Sequence, residues 1–124
     1  MALNVTRPSR FKSYTNHCIV DGTQVDVYTV PAHTVAYLSL IYIANTISQT
    51  SDISINWYDS SATDTIKLLG SKNLTANDYL QLSGAFFVLE AGDIIRATAN
   101  NTSGGATPHV DVVVTVEEVF LPNG

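Results

Sequence analysis

His17, His33 and His109 are the chain's three imidazoles, so any histidine metal site or histidine base must come from them. None lies in an HxH or HExxH spacing. A metal would need all three brought together by the fold, and they read more simply as polar residues at strand ends and in loops. The carboxylates are scattered singly apart from Glu117-Glu118. Neighbouring residues of a strand point to opposite faces, so that pair cannot share an acid–base task. Asp59, Asp64 and Asp78 lie in polar loops. They would bind calcium only if those loops converged, and they read more simply as solvated loop acids. Ser60, Ser61 and Ser103 have no GxSxG context, and Gly104-Gly105 stands without a GxGxxG or P-loop frame. Cys18 is the single cysteine, which rules out an intrachain disulfide and a cysteine-based metal site and suits a small buried hydrophobe. The residue types of catalysis are present but not in catalytic patterns. The chain therefore reads as no enzyme, and no cofactor is expected.

Composition points toward association. Charged residues are 14% of the 124, against about 25% in an ordinary soluble domain, while hydrophobic residues are 45%. A small domain with so little charge has little to keep neighbours apart. The net charge of -5 is unevenly placed, because Arg7, Arg10 and Lys12 are half of the six basic residues and all eleven acids lie beyond them. An acidic body repels phosphate, which argues against a nucleic-acid surface. The N-terminal segment is a basic arm or a frayed terminus. No apolar run reaches the ~18 residues of a spanning helix, and no n-region and h-region of a signal peptide precede the body. No membrane is expected as a partner. The Asn-x-Ser/Thr sites at Asn4, Asn73, Asn100 and Asn101 then reflect a composition rich in these residues.

The elements that position these residues are strands. Val30-Pro31-Ala32-His33-Thr34 leads into an uncharged run, Val35 to Asn45, apolar on both faces, which suits the centre of a sheet. Regular alternation puts Tyr37 and Tyr42 on opposite faces of that run. Asp21-Gly22 between His17–Val20 and Thr23–Val30 predicts a hairpin. Ile53, Ile55 and Trp57 alternate with Ser54, Asn56 and Tyr58, which places Trp57 against the core. Thr65 to Leu69 is a short strand ending at Gly70, and Asn73 to Asp78 is a possible helical turn. Tyr79 to Leu82 and Phe86 to Leu89 follow, then an Ala91-Gly92-Asp93 turn and the strand Ile94 to Ala99. Asn100 to Pro108 is flexible by composition. Val110, Val112, Val114 and Val116 at period two form the clearest strand. The expected fold is all-β: a single-domain antiparallel β-sandwich, jelly-roll-like, with about eight strands, spanning residues 13–124 behind a basic arm at 1–12.

Val30-Pro31-Ala32-His33-Thr34, Ile43-Ala44-Asn45, the Asp59-Ser60-Ser61 loop and Leu89-Glu90-Ala91-Gly92-Asp93 together resemble a frame found in small virion proteins of tailed bacteriophages, over about residues 25 to 119. The resemblance implies a structural role as a capsid decoration (cement) protein or a neck or tail appendage, with capsid or neck and tail proteins of the same virion as partners. It implies localisation to the virion after synthesis in a host cytoplasm. On that expectation Arg7, Arg10, Phe11 and Lys12 dock the partner. Tyr37, Tyr42 and Tyr58 lie at a subunit interface, in a trimer or similar cyclic oligomer. The alternative is a glycan-binding adhesin module that uses exposed tyrosines and the Asn100 to Pro108 loop.

Overall fold

The computed structural model describes residues 9–20, 22–46, 48–101 and 109–121, leaving aside the side chains of 84–86, 101 and 109. Eight strands carry the described chain: β1 Ser9–Ile19, β2 Val25–Thr29, β3 Thr34–Asn45, β4 Ser51–Asp59, β5 Asp64–Leu74, β6 Tyr79–Leu89, β7 Ile94–Asn101 and β8 His109–Phe120. Pairing is antiparallel and nested: β1 with β8, β2 with β7, β3 with β6 and β4 with β5. Two further pairings, β3 with β8 and β4 with β7, join the nested pairs into sheets ordered β1-β8-β3-β6 and β2-β7-β4-β5. This is a ribbon of paired strands rolled into two facing sheets, the eight-stranded jelly roll.

The period-two pattern builds the core. Val110, Val112, Val114 and Val116 of β8 all face inward and are buried, against Ile53 and Ile55 of β4 and Ile95 of β7. β3 is central in its sheet, between β8 and β6, as its two apolar faces require. The Ala91-Gly92-Asp93 turn forms as the sequence predicts, with Gly92 at φ 90°.

Five local expectations are corrected. Asp21-Gly22 does not close a hairpin. β1 and β2 belong to different sheets, and the connection is a corner at which Gly22, at φ 87°, donates its N–H to Ala99 O at 2.9 Å. The glycine conformation was correctly expected, but inward pairing partners elsewhere in the chain (β8 and β7) capture the two strands. The strand expected to end at Gly70 continues to Leu74 through an irregular register with β4, with Ser71 at φ 47°. No helical turn starts at Asn73. Thr75 to Asp78 form a tight turn, held by Asp78 N–H to Thr75 O, with Asn77 at φ 59°. Ser9 to Lys12, expected as part of a free arm, are registered against Val119 to Val116 of β8, so the sheet takes them in.

The fifth correction concerns β3. Its pairing with β8 slips by one residue between Leu38 and Leu40: Tyr37 lies opposite Glu117, and Tyr42 opposite Val113. Five steps along β3 match four along β8. The extra residue is a β-bulge at Ser39, whose hydroxyl donates to Thr115 O at 3.0 Å. Leu38, Ile41 and Ile43 stay buried while Tyr37 and Tyr42 both turn outward, on the same face.

Candidate functional site

The two buried carboxylates are the obvious places to look for chemistry, and both are occupied by structural work. Glu118 is fully buried. Its Oε2 accepts hydrogen bonds from Tyr14 OH at 2.6 Å and Tyr28 OH at 2.7 Å, and its Oε1 accepts from Arg10 Nε at 2.9 Å. Burial pushes this carboxyl up, but the bonds from the two tyrosines and the arginine outweigh it and hold Glu118 below its ordinary value. Burial, with hydrogen bonding to Glu118, raises both tyrosines. The cluster ties β1 and β8 of one sheet to β2 of the other, with the Tyr14 and Tyr28 rings 4.4 Å apart. Sequence reasoning missed it although the signal was present. Glu118 continues the even-numbered series Val110 to Val116, so period two alone places it on the buried face.

Asp93 is also buried. It accepts from Ser60 N and Oγ at 2.9 and 2.7 Å, from Trp57 Nε1 at 3.2 Å and from Glu90 N at 3.0 Å. Burial raises its pKa, and these four bonds bring it below the ordinary carboxylate value. The Asp59-Ser60-Ser61 and Leu89-to-Asp93 segments, far apart in sequence, are thus one stapled corner. Asp59 and Asp64 share the β4–β5 turn, but Asp78 lies beyond the whole length of β5, where its carboxylate accepts from Tyr79 N. His17 Nδ1 lies 2.7 Å from Asp111 Oδ1, and His33 sits in the β2–β3 turn at φ 59°. Among the described residues no three His, Cys, Asp or Glu side chains gather as a metal site.

The site with interaction chemistry is the outer face of the β1-β8-β3-β6 sheet. One cross-strand row reads Phe11, Glu117, Tyr37, Val88. Its apolar members are exposed: Phe11 73%, Tyr37 37% and Val88 50%. The next reads Ser13, Thr115, Leu40, Ser83, a third Thr15, Val113, Tyr42, Gln81, and a fourth His17, Asp111, Ala44, Tyr79. The Tyr42 and Tyr79 rings stack at 5.6 Å. Among the described residues of this face, the carboxylates are Glu117 and Asp111, and Asp111 is paired with His17. The opposite outer face, on β2-β7-β4-β5, is polar. Arg96 pairs with Asp26 at 3.0 Å and covers the Tyr58 ring at 5.1 Å, beside Asn56, Ser54 and Thr98.

The expected docking and interface residues are therefore split. Tyr37 and Tyr42 come together on the apolar face, and Tyr58 lies on the other side of the sandwich. Phe11 is exposed beside the Tyr37 row. Arg10 is engaged by Glu118 and lies 5.5 Å from the Phe120 ring, and Lys12 Nζ stands 4.9 Å from the Tyr14 ring. Arg7, and residues 102–108 of the loop named for glycan binding, lie outside the described residues.

No family model and no curated protein matches this chain in sequence. Solved structures do share its fold. A chain of infectious bursal disease virus Gx strain is similar at 12% identity and a TM-score of 0.52, over 94% of this chain and 34% of that one. This chain therefore spans about a third of that viral protein. The capsid of Helicobacter pylori bacteriophage KHP30 is similar at 13% identity and a TM-score of 0.51, over 93% of this chain and 94% of that one. A Bacillus endospore appendage, from a family described as disulfide-linked pili, is similar at 13% identity and a TM-score of 0.51, over 98% and 96%. At these identities the likeness is one of fold: a jelly roll shared with viral structures and with a spore appendage.

Proposed function

We propose that this protein is a non-catalytic structural subunit of a virion, most specifically a capsid decoration protein that packs against its neighbours through the outer face of the β1-β8-β3-β6 sheet. The observation that carries the reading is the exposure of Phe11, Tyr37 and Val88 in one row of this face, with the stacked Tyr42 and Tyr79 rings on the same surface. Exposed aromatic and aliphatic side chains in register on three strands of a sheet are what an interface core requires. The fold similarity to a phage capsid is consistent with this. The similarity to disulfide-linked pili fits less well, because the single Cys18 is 1% exposed and burial pushes its thiol up to about 11. In this reading Phe11 docks directly, Arg7 and Lys12 supply charge at the rim, and repeated copies, as in a trimer, add avidity on a capsid lattice. Neck or tail placement would use the same face against a different partner.

The test is Tyr37→Glu with Tyr42→Glu, compared with Tyr58→Glu on the polar face. Co-sedimentation with capsids of the encoding virus is expected to weaken at least ~30-fold for the double variant, about 2 kcal/mol of lost burial and buried charge, and to change little for Tyr58→Glu. Equal binding by wild type and the double variant would overturn the assignment of this face. Binding of wild type to glycans rather than capsids, lost in Tyr42→Ala, would replace it with the adhesin reading.

A further inference from the structure

The sandwich is not closed along one side. Among the described residues, β6 ends one sheet and β5 ends the other, and each is paired on a single edge. Between them lies a cavity of about 290 Å3, lined by Leu38, Ile41, Leu68 and Leu82 with Gln81 and Ser83 at its polar margin. Side chains whose register points them into the core are nonetheless exposed along this seam: Ile66, opposite Trp57, at 43%, and Phe87, opposite Leu38, at 38%. Two free strand edges flanking an unfilled apolar groove form a template for an added strand, with backbone groups for the ladder and a pocket for alternate side chains.

We propose that this seam receives residues 2–6, Ala-Leu-Asn-Val-Thr, of a second copy of the chain. The segment carries no charge and alternates Leu3 and Val5 with Asn4 and Thr6, the pattern of a strand with one buried face. Residues 1–8 precede β1 and span up to about 26 Å when extended, at ~3.3 Å per residue. β1 is the edge strand farthest from β6 in its sheet. At the end where β1 begins, the 31–33 turn is held to the end of β8 by Leu121 N–H to His33 O at 2.8 Å. A neighbour laid edge to edge brings the segment against the seam directly. Charge agrees: Asp59, Asp64 and Glu90 stand around the Asp93 corner at that end of the seam, opposite in sign to Arg7 of the incoming segment. The donor lies at one edge and the acceptor at the other, so the contact is heterologous and repeats from copy to copy, closing as a ring or extending as a chain. It adds to the outer-face reading without depending on it.

The experiment uses full-length chains. Phe87→Asp spoils the seam and Leu3→Asp/Val5→Asp spoils the donor. Wild type is expected to assemble with concentration in sedimentation velocity, with a shift in the emission of the single Trp57, whose ring lies 6.0 Å from Phe87. Each variant alone is expected to lose at least 10-fold in association. Mixing the two restores one good donor and one good seam, so 1:1 pairs form and grow no further. Ile66→Asp, at an exposed position, repeats the seam test should Phe87→Asp fail to fold. Assembly of both variants as in wild type, or no pairing on mixing folded variants, or a wild type that stays monomeric at millimolar concentration, each overturns the proposal. None of these results bears on capsid binding by the Tyr37 and Tyr42 face, which the Tyr58-controlled experiment reads separately.

Discussion

Replacing Glu118 by glutamine is expected to destabilise the fold by about 2 kcal/mol at neutral pH and by much less in acid. The carboxylate takes three bonds on two oxygens, whereas the amide offers one acceptor. The least disruptive arrangement keeps both tyrosine hydroxyls on the amide oxygen and releases Arg10, whose side chain is 52% exposed, into water. A hydrogen bond to a charged group contributes ~1.5–3 kcal/mol and a neutral one ~0.5–1.5, so each tyrosine loses about 1 kcal/mol. The arginine pair, half in solvent, adds no more than about 0.5 kcal/mol. Relief from burying a charge offsets part of the total. The pH dependence follows from the direction of the shift. Glu118 is depressed below 4.5 in the folded chain, so its contribution is fully present above that pH and is lost as pH falls through the folded value. Urea denaturation followed by circular dichroism at pH 7 and pH 3.5 reads both quantities. Asp93 titrates in the same direction in wild type and variant alike, so the difference between them isolates Glu118. A variant within 0.5 kcal/mol of wild type at pH 7, or a deficit undiminished at pH 3.5, would refute the reasoning.

Asp93→Asn leaves one amide nitrogen facing two donors, and is expected to cost about 2–3 kcal/mol in urea denaturation. It should also change Trp57 emission in the native state, since the indole N–H is bonded to that carboxylate. Cys18, buried and with its thiol raised to about 11, is expected to react with an aromatic disulfide reagent at pH 8 at least ~10³-fold more slowly in the native protein than in urea, and fast native labelling would show that the β1–β8 edge opens.

How far the sequence carried the fold depends on what each signal measures. Period-two alternation reports burial of one face, and it placed β4 and β8 with no knowledge of their partners, while an uncharged run apolar on both faces placed β3. It does not report which strand lies alongside, because Val, Ile and Thr pair equally well with many neighbours. Asp21-Gly22 was therefore a correct conformation in an incorrectly assigned connection. Arg10 and Lys12 looked like solvated arm residues because local charge outweighed their place beside Ser13 and Tyr14. Only the long β8 strand, reaching Phe120, extends the ladder to Ser9. Glu118 was legible in principle, since its parity with Val116 is explicit. The Ser39 bulge was not, because a one-residue slip in an apolar run leaves no trace when residues on both sides are hydrophobic.

That bulge carries much of the functional argument. Without it, Tyr37 and Tyr42 would lie five regular steps apart and one ring would turn into the core. Inserting a residue at Ser39 keeps Leu38 and Ile41 buried on either side and brings both rings out onto one face. The same sheet buries Glu118 and carries Glu117 and the His17–Asp111 pair on its outer surface. The opposite sheet keeps Arg96, Asp26 and Asn56 outward. Aromatic side chains brought together on one face by a register shift are what is expected of a sandwich that meets a neighbour on that side.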